Sequence, residues 1–323
     1  MSNKPKLVSR YPLPLVALFF AFFFFAACTS VPADKTQEVT LTVGTPFALQ
    51  PSSTLPPPGE TLLPTDDWTA TPPPTLEPGA WKTLPVIPTL SPKMLDIYER
   101  GQEMGRDAHT ISVVGDCESS ADWFLKDFAR GKSYYRLGPY ENLQDTIDYF
   151  NPSLGYFSFA AIRGATASTV VATIWRDPKY CEAGETPLSC EYRIHNPSFA
   201  LIALGTNDIN HREEFEPKMR EIVEYSLQQG IIPILVTKAD NLEGDESINE
   251  TIARIANDYQ VPLWNFWAAV QSLHSHGLQT DNAHLTIAPN FFDDPANLNF
   301  AWPIRNLTAL QVLESMRRGV NNP

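Results

Sequence analysis

A thiol, a glycine turn, a side-chain amide and a carboxylate–histidine pair occur along this chain in an order that suits acyl transfer. They lie in four short stretches: Gly115-Asp116-Cys117-Glu118-Ser119, Gly164-Ala165-Thr166, Gly205-Thr206-Asn207-Asp208 and Asp281-Asn282-Ala283-His284. The first follows the apolar run Ile111-Ser112-Val113-Val114, and the third follows Phe199-Ala200-Leu201-Ile202-Ala203-Leu204. The last sets a carboxylate three residues ahead of a histidine, near the C-terminus. A nucleophile at the end of a strand, a donor-rich turn and a late Asp–His pair can together carry out acyl transfer. The set would suit a serine hydrolase but for one atom: a thiol, Cys117, stands where a hydroxyl is expected.

The elements around these stretches have to bring them together. Short, continuous apolar runs predict strands over 110–114, 156–162, 199–204 and 231–237, with a fifth over 262–266. Runs of that kind suit a parallel sheet covered on both faces. Between them, Phe215, Met219, Ile222, Val223 and Leu227 recur at helical spacing up to Gly230. Ile248, Ile252, Ile255, Ala256 and Tyr259 do the same, and a last helix is expected over 303–318. Strands alternating with helices predict one doubly wound α/β sheet, in which ligands bind beyond the carboxyl ends of the strands. Cys117, Gly164 and Asn207 each follow such an end, so they should converge on one edge.

These residues resemble the SGNH (GDSL-like) hydrolase superfamily. Its members carry Gly-Asp-Ser after the first strand, a later glycine, Gly-x-Asn-Asp, and Asp-x-x-His near the C-terminus. Here these are Gly115-Asp116-Cys117, Gly164, Gly205-Thr206-Asn207-Asp208, and Asp281 with His284, over about residues 110–318. The resemblance implies a three-layer α/β/α fold with a parallel, flavodoxin-like sheet of about five strands. It implies Cys117 as nucleophile, His284 as general base and Asp281 as the group that orients it. The backbone N–H groups of Cys117 and Gly164 and the amide of Asn207 would form the oxyanion hole, while Asp208 reads as structural. No metal or organic cofactor is needed, and the substrate class is an ester or acetyl group, including those on carbohydrate.

Other readings stay open beside this one. Taken singly, Gly164 suits an ordinary turn, and Gly205 to Asp208 suit strand-to-helix turn and N-cap chemistry. Asp116 and Glu118 flank the thiol, and negative neighbours disfavour a thiolate. An inactive relative that keeps the crevice to bind glycan or a protein partner fits that departure. Ser119 or Ser120 could stand in as nucleophile, although a shift of two residues aims the side chain elsewhere. His274 and His276 suit a metal site or a polar loop; without a matching Cys or carboxylate pattern, the loop is preferred. His195 and His211 read as surface residues.

Composition sets the context. A cationic start, an apolar run from Leu13 to Ala27 and then Cys28 read as a secretory signal over 1–27. Phe25-Ala26-Ala27-Cys28 resembles a bacterial lipobox, which makes Cys28 the lipidated mature N-terminus; the alternative is an uncleaved anchor. Either reading puts the remainder on the extracytoplasmic face of the cell membrane. The linker over 28–92 is rich in Pro and Thr; from Thr29 onward it holds 14 of the chain's 29 prolines. Such a segment buries too little apolar surface to offset its ordering entropy, so it should be a disordered stalk. A coil of about 50 residues reaches on the order of 40 Å. Trp81, Leu84, Val86 and Ile87 are apolar enough for its last dozen residues to pack on the globular part, expected over 93–323. The net charge of −13 argues against nucleic acid as a partner. The chain is expected to be a monomer. Cys181 and Cys190, nine apart in a loop-like segment of an exported protein, are a candidate disulfide. Cys117 is then left unpaired.

Overall fold

The computed structural model describes residues 74–120 and 122–321. The expected signal over 1–27, the expected lipidation at Cys28 and residues 28–73 of the expected linker over 28–92 lie outside the described residues.

Four apolar runs form strands: β1 (Asp107–Gly115), β2 (Pro197–Ala203), β3 (Ile232–Val236) and β4 (Leu263–Trp264). They pair in parallel in that order, with Val114 opposite Ile202, Leu201 opposite Ile234 and Val236 opposite Trp264. Every residue of β3 is buried, as is all of β2 except its last. This is why the runs are apolar throughout rather than alternating.

The sheet has four strands instead of the expected five or so. The apolar run over 156–162 contributes only a bridge between Ala161 and Gly115, on the free edge of β1. Two backbone bonds make that bridge, from the Gly115 N–H to the Ala160 carbonyl at 3.0 Å and from the Ile162 N–H to the Gly115 carbonyl at 2.9 Å; beside it, backbone N–H groups bond to side chains. The Phe159 N–H donates to the Glu191 carboxylate at 2.7 Å, and the Ala160 N–H donates to Ser158 Oγ at 3.1 Å. Ser158 Oγ in turn donates to the Val113 carbonyl at 2.6 Å, taking a place a ladder bond would fill. The bridge still sets the chain's second β-segment outside its first, the order of a flavodoxin-like sheet.

Among the described residues, six longer helices surround the sheet: α1 (Pro92–Glu103), α2 (Gln144–Phe150), α3 (Pro187–His195), α4 (Arg212–Gln228), α5 (Ser247–Tyr259) and α6 (Ala301–Asn321). Both α1 and α2 pack with α6, and α4 packs with α5 and β3 while α3 packs on β1. Helix α5 buries Ile248, Ile252, Ile255 and Ala256 at helical spacing. Helix α6 is buried nearly all round over its first half, from Ala301 to Leu310. Helix α3 lies in the segment expected to be loop-like. It begins at Pro187 with Thr186 as its cap, accepting from the Ser189 N–H. Cys190, inside that helix, is disulfide-bonded to Cys181 with a Cα–Cα distance of 5.3 Å.

Packing reaches upstream of residue 93. Trp81 is wholly buried, and its indole N–H donates to Glu250 at 2.6 Å. The amide of Asn265 donates to the carbonyls of Trp81 and Leu84, at 2.9 and 3.1 Å. The Trp81 ring meets Trp267 edge to face at 4.9 Å. Among the described residues, no helix is long and apolar enough to cross a membrane.

Candidate active site

The end of β1 sets the nucleophile. Gly115 closes the strand where the next turn folds tightly back: a Cβ there would stand 2.3 Å from Ser119 Oγ and 2.4 Å from the Ala203 carbonyl oxygen. Only glycine fits so close an approach. Asp116 then caps the short helix Cys117–Ser120, its Oδ1 accepting from the Glu118 N–H at 3.0 Å. Cys117 heads that helix, half-buried, and is the free cysteine among the described residues.

Cys117 Sγ lies 3.7 Å from His284 Nε2. The opposite ring nitrogen, Nδ1, lies 2.6 Å from Asp281 Oδ2. Asp281 Oδ1 accepts from the N–H groups of Ala283 and His284, each at 3.0 Å. The turn therefore holds carboxylate and imidazole in one register, with Asn282 in the left-handed region at φ 57°. The hydrogen bond from His284 pulls the Asp281 carboxyl down to about 2, and Asp281 in turn raises His284. Thiol, imidazole and carboxylate form one line.

Contacts join the other two stretches to it. Asn207 Nδ2 lies 3.5 Å from Asp116 Oδ2 and donates to the Ala165 carbonyl at 3.1 Å. The Ala167 N–H donates to Asp208 Oδ1 at 2.9 Å, so Asp208 staples the glycine turn to its own. Gly164, at φ 76°, is exposed on that turn. The four stretches are thus tied together. Ser119 and Ser120 are turned elsewhere: Ser119 Oγ is buried under Gly115, and Ser120 Oγ donates to the Cys117 carbonyl at 3.3 Å.

The thiol's surroundings are electronegative. Burial, with the charges of Asp116 and Glu118 adding to it, pushes Cys117 up to about 11. Burial likewise raises Asp116 to about 6 and Glu118 to about 7. The sequence level showed Glu118 only as a charge beside the thiol, and it missed Arg305. Glu118 Oε1 accepts from the Leu285 N–H at 3.2 Å, joining the nucleophile helix to the residue after the histidine. Arg305 is buried, its guanidinium 4.8 to 5.6 Å from the ring centres of Phe124, Phe266 and Trp264, and close enough to act on Asp116, Glu118 and Cys117. An arginine amid the apolar residues of α6 was its one visible signal.

The remaining histidines divide. His274 and His276 are exposed in a polar turn, and His211 is exposed. His195 is not a free surface residue: its ring stacks on Tyr156 and Phe159, and its Nε2 lies 2.9 Å from the Phe157 carbonyl.

No protein-family model matches the chain, and no curated protein does either. Solved structures do. A lipolytic protein of the G-D-S-L family from Desulfitobacterium hafniense is 12% identical, with 63% of this chain and 99% of that one covered, at a TM-score of 0.42. The esterase EstA from Pseudoalteromonas sp. is 18% identical, with 66% and 100% covered, at 0.40. The acetylxylan esterase Axe2 from Geobacillus stearothermophilus is 14% identical, with 63% and 93% covered, at 0.40. What the site can do follows from its own geometry.

Proposed function

We propose that this protein is an SGNH-type hydrolase of esters or acetyl groups, working through Cys117, His284 and Asp281. The observation that carries the reading is the line from Sγ through the imidazole to the Asp281 carboxylate, at 3.7 and 2.6 Å. In this reading the thiol attacks the acyl carbon as His284 Nε2 takes its proton, giving a tetrahedral oxyanion. Collapse expels the alcohol, which receives that proton, and leaves a thioester on Cys117. Water, deprotonated by His284, then releases the acid and restores the thiol. In this reading the N–H groups of Cys117 and Gly164 serve the oxyanion, and the Asn207 amide joins them by exchanging its long 3.5 Å contact with Asp116; each donor is worth about 3 kcal/mol.

A sugar-borne ester suits the neighbouring cleft, about 1080 Å³ with its open mouth, lined by Trp123, Asp127, Arg130, Asn290, Trp302 and Asn306. Its walls continue in sequence from the nucleophile helix and from the His284 turn. The exposed indole of Trp123 beside charged and amide groups suits a polyhydroxylated ligand. The test is hydrolysis of small acetyl and butyryl esters and of acetylated oligosaccharides by wild type, Cys117→Ala and Cys117→Ser. Loss in the alanine variant, with activity kept or gained in the serine variant, is expected. Activity unaffected by Cys117→Ala ends the assignment.

The raised thiol favours a second reading, an inactive surface protein that binds glycan or a protein partner in the same crevice. It requires binding without turnover in all three proteins. The tether proposed at Cys28 is tested separately. Membrane flotation should be lost in Cys28→Ala, and flotation unchanged would remove the lipid anchor.

A further inference from the structure

The side chains that would perform acyl transfer also meet the demands of a different ligand. Cys117 Sγ, a carboxylate oxygen of Glu118 and a ring nitrogen of His284 all lie within 4.8 Å of one another. The geometry points to a reversible binding site for a thiophilic divalent cation of the zinc class, held by Cys117, His284 and Glu118.

Distances support it first. A tetrahedral zinc with bonds of about 2.3 Å to sulfur and about 2.0–2.1 Å to nitrogen holds those two atoms about 3.6 Å apart. Here they stand 3.7 Å apart, so a cation can sit between them with little movement of either side chain. The outer sphere comes next. A metal-bound imidazole commonly gives its other N–H to a carboxylate, which orients the ring; His284 Nδ1 and Asp281 Oδ2 already make that contact at 2.6 Å. The third ligand has a free atom. Glu118 Oε1 accepts from the Leu285 N–H, whereas Oε2 is buried without a hydrogen-bond partner. An oxygen sealed from water and unpaired is costly, and a cation removes that cost.

The local charge points the same way. Asp116, Glu118 and Asp281 bring three carboxylates, against which Arg305 sets one positive charge from the buried side. The sum stays negative where the cation would sit. Three protein ligands leave a fourth position open to water, the pattern of an accessible zinc site rather than a closed structural one. A hydroxyl at position 117 would not provide this site, since it is the soft sulfur that selects such a metal. The other described groupings are poorer: Cys181 and Cys190 are spent in a disulfide, and His211, Glu213 and Glu214 are exposed.

Binding replaces the thiol proton with the metal, and that proton passes to solvent. The occupied site has no free nucleophile and no free base. The cation therefore acts as an off-switch for the hydrolysis proposed above, and only this regulatory part rests on that reading.

The test uses full-length protein with the Cys181–Cys190 disulfide intact, stripped of metal and titrated with Co²⁺ as an optical stand-in. A thiolate-to-cobalt charge-transfer band that saturates at one equivalent and vanishes when Zn²⁺ is added is expected. The band should be lost in Cys117→Ser. Asp281→Asn, a change on the exposed side, should weaken binding about tenfold or more, while His211→Ala should leave the titration unchanged. Ester hydrolysis by the metal-free protein should stop at one equivalent of Zn²⁺ and return with a chelator. No band in the wild type, a band that survives Cys117→Ser, or binding indifferent to Asp281→Asn overturns the site. Hydrolysis intact without a band sinks this inference alone. A band without any hydrolysis sinks the hydrolase reading and leaves the metal site standing.

Discussion

His284 and Asp281 stand in solvent with side-chain exposures of 53% and 48%, while Cys117 lies half-buried between Asp116 and Glu118. On the exposed side, carboxylate and imidazole reinforce each other: Asp281 is pulled down to about 2 and His284 is raised. On the buried side, burial opposes ionisation, and the thiol is pushed up to about 11. The base half is prepared for its task before substrate arrives; the nucleophile half is not. Activation therefore falls to His284 at the moment of attack, as with a serine hydroxyl, rather than to a thiolate formed beforehand. A hydroxyl never ionises in advance and loses little beside those carboxylates, which is why the site should accept serine at position 117.

Variants can break this contrast, and the largest effect should come from the base half. His284→Ala should lower kcat/KM on a small ester about 10²–10⁴-fold; a loss below tenfold would show that the thiol needs no base. Asn207→Ala should cost roughly 10²–10³ in kcat with KM little changed. A change in KM alone would make Asn207 a binding group.

The next effect is on stability and sharpens the buried side. Burial raises Glu118 from its ordinary 4.5 to about 7. A carboxyl raised by folding contributes stability while protonated, below its unfolded value, and that contribution is lost as pH rises through the folded value. Glu118→Gln keeps an acceptor for the Leu285 N–H and removes the charge. It should gain about 1–3 kcal/mol relative to wild type between about pH 4.5 and pH 7. Denaturant unfolding at both ends of that window measures it, and an equal effect at both would mean that Glu118 is well solvated. The smallest effect is on the thiol. The same variant should speed iodoacetamide labelling of Cys117 about tenfold at pH 8, by relief from a neighbouring charge. An unchanged rate would leave burial and the Asp116 charge as the causes of the raised thiol.

Legibility in the sequence followed the physics of each element. β2 and β3, buried along nearly their whole length, were plain from continuous apolar runs. α4 and α5 were plain from helical spacing, and the Asp281–His284 turn from its three-residue interval. The run over 156–162 looked the same but sits at the sheet edge, where Glu191 and Ser158 take backbone N–H groups; nothing local to the run reveals a partner 32 residues away. The two-residue ladder of Tyr135–Arg136 with Asn290–Phe291 is too short to leave any periodic signal. α3 was hidden because its segment was read through its cysteines, although Thr186-Pro187 is a start signal. The roles of Glu118 and Arg305 depend on contacts across more than 160 positions, which spacing along one chain does not encode.

The most direct measurement traps the acyl group. Full-length protein is mixed with an activated acetyl ester, quenched in acid within one turnover and mapped by peptide mass. Expected is a single acetyl thioester on the peptide that contains Cys117, absent in Cys117→Ala and released by hydroxylamine. Turnover that continues with no acyl group on Cys117, or with the group on another residue, would contradict the line from thiol to imidazole to carboxylate on which the account stands.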